Sequence, residues 1–312
     1  MARPSCLALL PVLALLVGGA LGGCGDDGGA VRDGGGSASA SGSDSSSGSG
    51  SGSGLSEDEL DGTTDDQAVL DAVAEYRSYV LEQVDDLREA VRPFTDAVRA
   101  GDLEAAKAAY APSRAPWERI EPVAGLVEDI DTAVDARVDD FAGSDDPEFT
   151  GWHRLEQLLF EQGTTSGAAP FADQLDEDLA RLADELPDRD FPPATVAAGP
   201  GELIQEVSEG KITGEEDRYS GTDLWDFDAN VDGSERVIDI LRPVLEERDP
   251  DLLSDIDDGF AAIQDRLGTY ERPGGTWAPY AELTEEDKEA LSADLAALAE
   301  DLSLLAGTLG LG

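Results

Sequence analysis

The feature that most constrains this chain is an apolar stripe. Between Asp66 and Gly101, residues Val69, Val73, Tyr76, Val80, Val84, Leu87 and Val91 recur at spacings of three and four, which marks one buried face on a long helix. Later segments repeat the theme. Phe171, Leu175, Leu179, Leu182 and Leu186 share a face, and "GELIQEVSEG", "SERVIDILRPVLEERD", "DLLSDIDDGFAAIQDRLGTY" and "TEEDKEALSADLAALAEDLSLLAGTL" continue it. No run alternates apolar and polar residues between hairpin turns, so strands are not expected. The reading is an all-α fold in which two successive helix sets form two four-helix bundles packed side by side. The first bundle is placed at about 61–168 and the second at about 169–312. In the first set, Pro93 should kink the long helix and Gly101 should end it. "DLEAAKAAYAP" reads as a short second helix, Pro116 as the start of a third, and Pro122 and Gly125 as breaks.

The N-terminal region has a different character. Arg3 precedes a short apolar core, Leu7 to Val17, and "LGGC" follows at Leu21 to Cys24. The apolar run is shorter than the roughly 20 residues of a spanning helix. The arrangement predicts a lipoprotein signal peptide at 1–23, cut before a lipidated Cys24. Residues 24–60 are mostly Gly, Ser and Asp and read as a flexible tether with an end-to-end distance of about 30 Å. Cys6 would leave with the signal peptide and Cys24 would carry lipid, so no thiol is left for a disulfide. The expected location is extracytoplasmic, with membrane attachment through the lipid alone.

Charge narrows the partners. The net charge is −48, and Lys107, Lys211 and Lys288 are the only lysines. Nucleic acid needs a positive surface, so it is not an expected partner. The acidity suits either cations or solubility in a salty habitat.

The chain has one histidine, His153, in "GWHRLEQLLF". His153 and Glu156 lie three apart and project from one helix face, the geometry with which carboxylate-rich metal sites are built in bundle cores. One imidazole among carboxylates suits iron, zinc or manganese, and the excess of oxygen leans towards harder ions. Spacing alone also fits a packed core histidine. A second pair, Glu118 and Glu121 in "WERIEP", has the same spacing. Such acidic pairs recur as solvated faces, but Trp117 and Ile120 suggest a partly buried helix. A third stretch, "GEEDRYSGTDLWDFDANVDG", interleaves acids with Tyr219, Trp225 and Phe227. There Asp223 reads as a helix cap that is also available for ligation.

Together these stretches resemble the imelysin-like domain of EfeO-type iron-uptake lipoproteins. "YAPSRAPWERIEPVAGL", "FTGWHRLEQLLF", "GKITGEEDRYSGTDLWDFDANVDGS" and "LAEDLSLLAGTLGLG" match in order, over about Val69 to Gly312. The resemblance implies paired four-helix bundles with a metal site in a cleft between helices. It implies ligand status for His153 and Glu156, and, through the other motifs, for Glu118, Glu121 and Asp223. It also implies that the ion is iron, Fe²⁺ or Fe³⁺, with zinc or another divalent metal also compatible. An iron permease and a peroxidase-type protein of the same uptake system would be the partners. Two departures stand out. The tether leaves no room for the cupredoxin domain that precedes this one in some members, and Gly221 stands where the family's "YSHTDLWDF" has histidine.

The leading expectation is therefore iron binding and delivery without catalysis. His153 should face a cleft and meet Glu118 or Glu121, and Asp223. A metallopeptidase is the rival, but the chain lacks His-Glu-x-x-His and a second histidine for a Ser-His pair. A metal-bridged polysaccharide-binding module using Trp152, Trp225 and Trp277 is the third reading.

Overall fold

The computed structural model describes residues 64–311. The signal peptide, Cys24 and the tether expected at 1–60 lie outside the described residues. Helix α1 (Gln67–Ala100) opens on Asp66, whose side chain accepts from the N–H groups of Ala68 and Val69. All seven stripe residues are buried. The helix runs through Pro93 and closes at Gly101, where φ is +74°.

α2 (Leu103–Glu118) is longer than expected and contains both Pro112 and Pro116. No third helix begins at Pro116. Burial of Tyr110, Arg114 and Trp117 along α2 outweighs the N–H groups that the two prolines lack. A short 3-10 stretch, Glu121–Val127, is interrupted at Val123, between the expected breaks at Pro122 and Gly125. Then follow α3 (Glu128–Asp135) and α4 (Gly151–Glu156), which continues as a π turn over Gln157–Glu161. The remaining helices are α5 (Ala169–Glu185), α6 (Pro193–Glu209), α7 (Asp223–Arg248), α8 (Pro250–Leu267), α9 (Glu285–Leu302) and α10 (Leu305–Thr308). Among the described residues the strands are two residues each, Glu271–Arg272 paired antiparallel with Thr276–Trp277. No helix of the described residues is long and apolar enough to cross a membrane.

α1 packs on α2, α5 and α7, whereas α6 and α8 both pack on α7 and α9. α5 also lies on α3 and α4, so its buried Leu175, Leu179 and Leu182 serve the first group of helices. α5, expected to open the second set, thus packs with helices expected in the first. α7 touches both groups, α1 and α2 on one side and α6 and α8 on the other.

Three glycines let backbones meet without side chains between them. A Cβ on Gly151 would lie 2.1 Å from the carbonyl oxygen of Val134 in α3. On Gly199 in α6 it would lie 2.1 Å from that of Pro122, and on Gly233 in α7 2.2 Å from that of Arg119. No side chain larger than hydrogen fits such contacts.

Candidate metal centre

The clasp at Gly151 sets the first distance of the site. It seats the start of α4 on the end of α3, where Asp135 is the last residue. Gly151 takes φ +71° to do so, a conformation that favours glycine. Nε2 of His153 then lies 3.6 Å from Asp135 Oδ1 and 3.7 Å from Glu216 Oε1. On the other side of the ring, Nδ1 is 3.3 Å from Glu156 Oε2, as their spacing predicts. Glu156 Oε1 accepts the backbone N–H groups of Tyr219 and Ser220 at 2.9 and 2.7 Å, which ties α4 to the loop before α7. Two sets share the imidazole: Asp135, His153 and Glu216, and His153, Glu156 and Asp217. In each, the potential ligand atoms lie within 4.8 Å of one another.

Two permanent cations stand among these acids. Arg114 is fully buried in α2. Its Nη2 donates to Glu118 Oε1 at 2.5 Å, its Nη1 to Asp135 Oδ1 at 2.5 Å, and its Nε to Asp226 Oδ1 at 3.3 Å. Lys211 Nζ donates to both oxygens of Glu121, at 2.7 and 2.8 Å, and to Glu118 Oε2 at 3.2 Å. Eight carboxylates (Glu118, Glu121, Asp135, Glu156, Glu216, Asp217, Asp223 and Asp226) thus face Arg114, Lys211, the imidazole and, at the edge, the half-exposed Arg137, whose Nη1 is 3.2 Å from Glu216 Oε2. The cluster is under-neutralised. Within it, the buried Oδ2 atoms of Asp223 and Asp226 have no hydrogen-bond partner, which is costly unless a cation or proton satisfies them.

The field of the cluster shows in its acid–base chemistry. Burial and the Arg114 charge push the His153 pKa down, but hydrogen bonds to Glu156 and Glu216 and the charge of Asp135 outweigh them and raise it to about 10. Burial likewise pushes Glu216 up, yet Lys211, His153 and Arg114 together hold it well below the usual carboxylate range. Asp223 is pushed up to about 7 by burial and then by the neighbouring Asp217 charge.

The expected ligands are gathered into one cluster, though not in the expected arrangement. His153 and Glu156 are adjacent and buried, and Glu118 is buried as its Trp117 and Ile120 neighbours suggest. Glu118 and Glu121, however, pair with Arg114 and Lys211 rather than with His153. Asp223 accepts the backbone N–H of Asp217 at 3.3 Å. It is the first residue of α7; Thr222 holds the cap position and makes no side-chain cap bond. The carboxylates nearest His153 Nε2 are instead Asp135 and Glu216, with Arg114 Nη1 at 3.4 Å beside them, because the Gly151 clasp brings α3 in from one side and the loop before α7 closes from the other. His153, only 2% exposed, does not line a cleft. The nearest cavity, about 560 Å³, is walled by Asp135 and Glu216 together with Glu121, Asp131, Asp140, Glu202, Glu206, Arg137 and Lys211. An ion entering it meets those two acids before the imidazole. Trp152, suggested as a sugar-stacking face, is fully buried, with the Arg114 guanidinium 5.7 Å from its ring centre.

Sequence reasoning missed Arg114, Asp135, Lys211, Glu216, Asp217 and Asp226. Lys211 carried a usable signal, since lysine is so scarce in this chain. Glu216, Asp217 and Asp226 lay inside a stretch already singled out, but one acid among 69 has little to distinguish it.

Comparison with known proteins agrees with this architecture. Residues 72–305 match the family model described as imelysin, whose label is that of a peptidase family. The chain is 47% identical over 241 residues to the iron uptake system component EfeO of Escherichia coli O157:H7, covering 77% of this chain and 64% of that protein. It is 48% identical over 248 residues to the protein of the same name from Yersinia pseudotuberculosis serotype I, covering 79% of this chain and 66% of that one. The chain thus spans just under two thirds of the length of these curated relatives. The all-helical architecture and a family match running from within α1 to the start of α10 identify the chain as a member of the imelysin family.

Proposed function

We propose that this protein binds an iron ion at the His153 centre and passes it to a membrane permease of an iron uptake system. The observation that carries the reading is the set formed by half-buried Asp135 with buried His153 and Glu216, with ligand atoms within 4.8 Å of one another, in a cluster with more carboxylates than cations. One imidazole among carboxylate oxygens suits iron and, less selectively, zinc or manganese. The names of the relatives, iron uptake system components, support iron as the cargo. Glu156 and Asp217 complete the set on the Nδ1 side, while Glu118, Glu121 and Asp223 surround it. The signal-peptide pattern and Cys24 support a location outside the cytoplasm on a lipid anchor, with a peroxidase-type protein of the same system as a further partner. The chemistry is capture and release, with no bond made or broken. The acidic cavity concentrates cations at its mouth, and the ion replaces the protons held by the cluster.

Calorimetry of the purified protein with Fe²⁺ (under anaerobic conditions), Fe³⁺ and Zn²⁺ tests this. Binding in the micromolar range or tighter is expected, weakened at least about tenfold by His153→Ala or by Asp135→Asn. Absence of binding by the unmodified protein near neutral pH would refute the proposal. Metal-dependent casein cleavage abolished by His153→Ala would favour the peptidase instead.

A further inference from the structure

Lys211 is 2% exposed and begins the short 3-10 turn Lys211–Thr213 that follows α6. Its ammonium sits among oxygens as a bound ion would. Besides its contacts with Glu118 and Glu121, Nζ is 3.6 Å from Glu216 Oε1. That same oxygen faces His153 Nε2 at 3.7 Å. The lysine thus holds one carboxylate oxygen of the set that would grip the metal, along with the glutamate pair beside it.

The side chain also has somewhere else to go. Lys211 lines the 560 Å³ cavity and a second one of about 440 Å³, whose wall includes Glu202, Glu206 and Glu209 of α6. Rotation about its own stem would carry the ammonium from one group of carboxylates towards another, with no charge stranded in an apolar interior. Arg114 has no such freedom. Its planar fork is engaged on several sides at once, whereas lysine is a compact charge on a flexible stem.

Resting on the metal-binding reading above, we propose that Lys211 is a tethered counter-cation. In the metal-free protein it holds Glu118, Glu121 and Glu216 together; an arriving ion displaces it towards Glu202, Glu206 and Glu209, and its return drives the ion out. An ammonium and a metal cation cannot both sit against Glu216 Oε1, the oxygen that the lysine's contacts and the metal set have in common, because their mutual repulsion in a buried site is large. The binding-competent state is the one with the lysine withdrawn, so the apparent affinity is lowered by the fraction of molecules in that state.

Two measurements test the inference. The purified protein is treated with an amine-acetylating reagent, with and without saturating Zn²⁺, and modification of each lysine is read by mass spectrometry. Lys107 and Lys288 serve as internal references. Lys211 should be protected in the metal-free protein and become reactive on loading, with the other two unchanged. In calorimetry, Lys211→Met should bind Zn²⁺ about tenfold more tightly than the unmodified protein. If Zn²⁺ binds the unmodified protein but leaves Lys211 protected, or if the folded variant binds no more tightly, the counter-cation is refuted and the metal site stands. If the unmodified protein binds no metal, both readings fall. Should Lys211→Met not fold, the acetylation experiment decides alone.

Discussion

Raising the pH should tighten metal binding far more steeply than an ordinary histidine would allow. His153 titrates at about 10 in the metal-free protein, and its ring must shed that proton before it can donate to an ion. Throughout pH 6 to 8 the imidazole stays almost fully protonated. Each pH unit then gains about tenfold in affinity, ~1.4 kcal/mol, and the whole interval gains about a hundredfold. A histidine at its unperturbed pKa of about 6.5 would already be about a quarter deprotonated at pH 6, which limits the gain to about fourfold. Any liganding carboxylate that also sheds a proton adds to the slope, so the hundredfold figure is a lower limit. Calorimetry with Zn²⁺ in two buffers of different ionisation enthalpy measures both quantities, affinity and protons released. About one proton should leave His153 per ion at pH 7, against about a quarter of a proton for the unperturbed group. A fourfold gain with a quarter proton released would show that Glu156, Glu216 and Asp135 do not hold the proton, and the electrostatic account of the site would fail.

Other outcomes follow from the same geometry. Metal-free protein should lose stability as pH rises from about 4 to 10. Asp131 and Asp223 are raised to about 7, so their contribution is lost between about 4 and 7. That of His153 is lost as pH climbs from about 6.5 through about 10, and Glu118 and Glu216, held low, act only below this range. Urea midpoints in chelator that rise from pH 5 to pH 9 would contradict this. Arg114→Met should cost about 3–5 kcal/mol in denaturant unfolding, because it strands buried carboxylates; a loss under about 1 kcal/mol would mean the acids find other partners. Gly233→Ala places its Cβ 2.2 Å from the Arg119 carbonyl oxygen and should cost about 3 kcal/mol, read in the same assay. Gly221 has φ +67° with nothing within 4 Å of a built Cβ, so Gly221→His should cost only about 1 kcal/mol. A larger loss would show that the loop cannot receive the residue that the resemblance suggests.

The helical class was legible because the apolar period is carried by residues that end up buried, from Val69 through Val91 in α1 and from Leu175 to Leu182 in α5. Boundaries were obscured where tertiary forces override local signals. Pro112 and Pro116 hid the length of α2; the start of α7 was marked to within a residue by the cap reading of Asp223, while Asp226, Asn230 and Ser234, polar residues on a face that is nonetheless buried, obscured its apolar period. The site was legible only where its parts are close in sequence. His153 and Glu156 announce each other by spacing, and so do Glu118 and Glu121. Asp135 and Glu216 reach the imidazole from distant segments by way of a glycine contact and a loop, and helical spacing carries no information about either.

The three glycine clasps have a consequence for how cargo can move. Gly151 locks α4 to α3, Gly199 locks α6 to the turn that starts at Glu121, and Gly233 locks α7 to the end of α2. Every helix that contributes a donor is thus fastened, backbone to backbone, to a neighbouring segment. Carriers that close two lobes around a ligand gate exchange with slow hinge motions of microseconds to milliseconds. On the metal-binding reading proposed above, an ion would enter and leave a centre fastened in this way by rotation of side chains inside a stationary helical frame. The protein's scattering profile should be the same loaded and unloaded, and a docking partner would have to reach the ion through the acidic cavity rather than pry the helices apart.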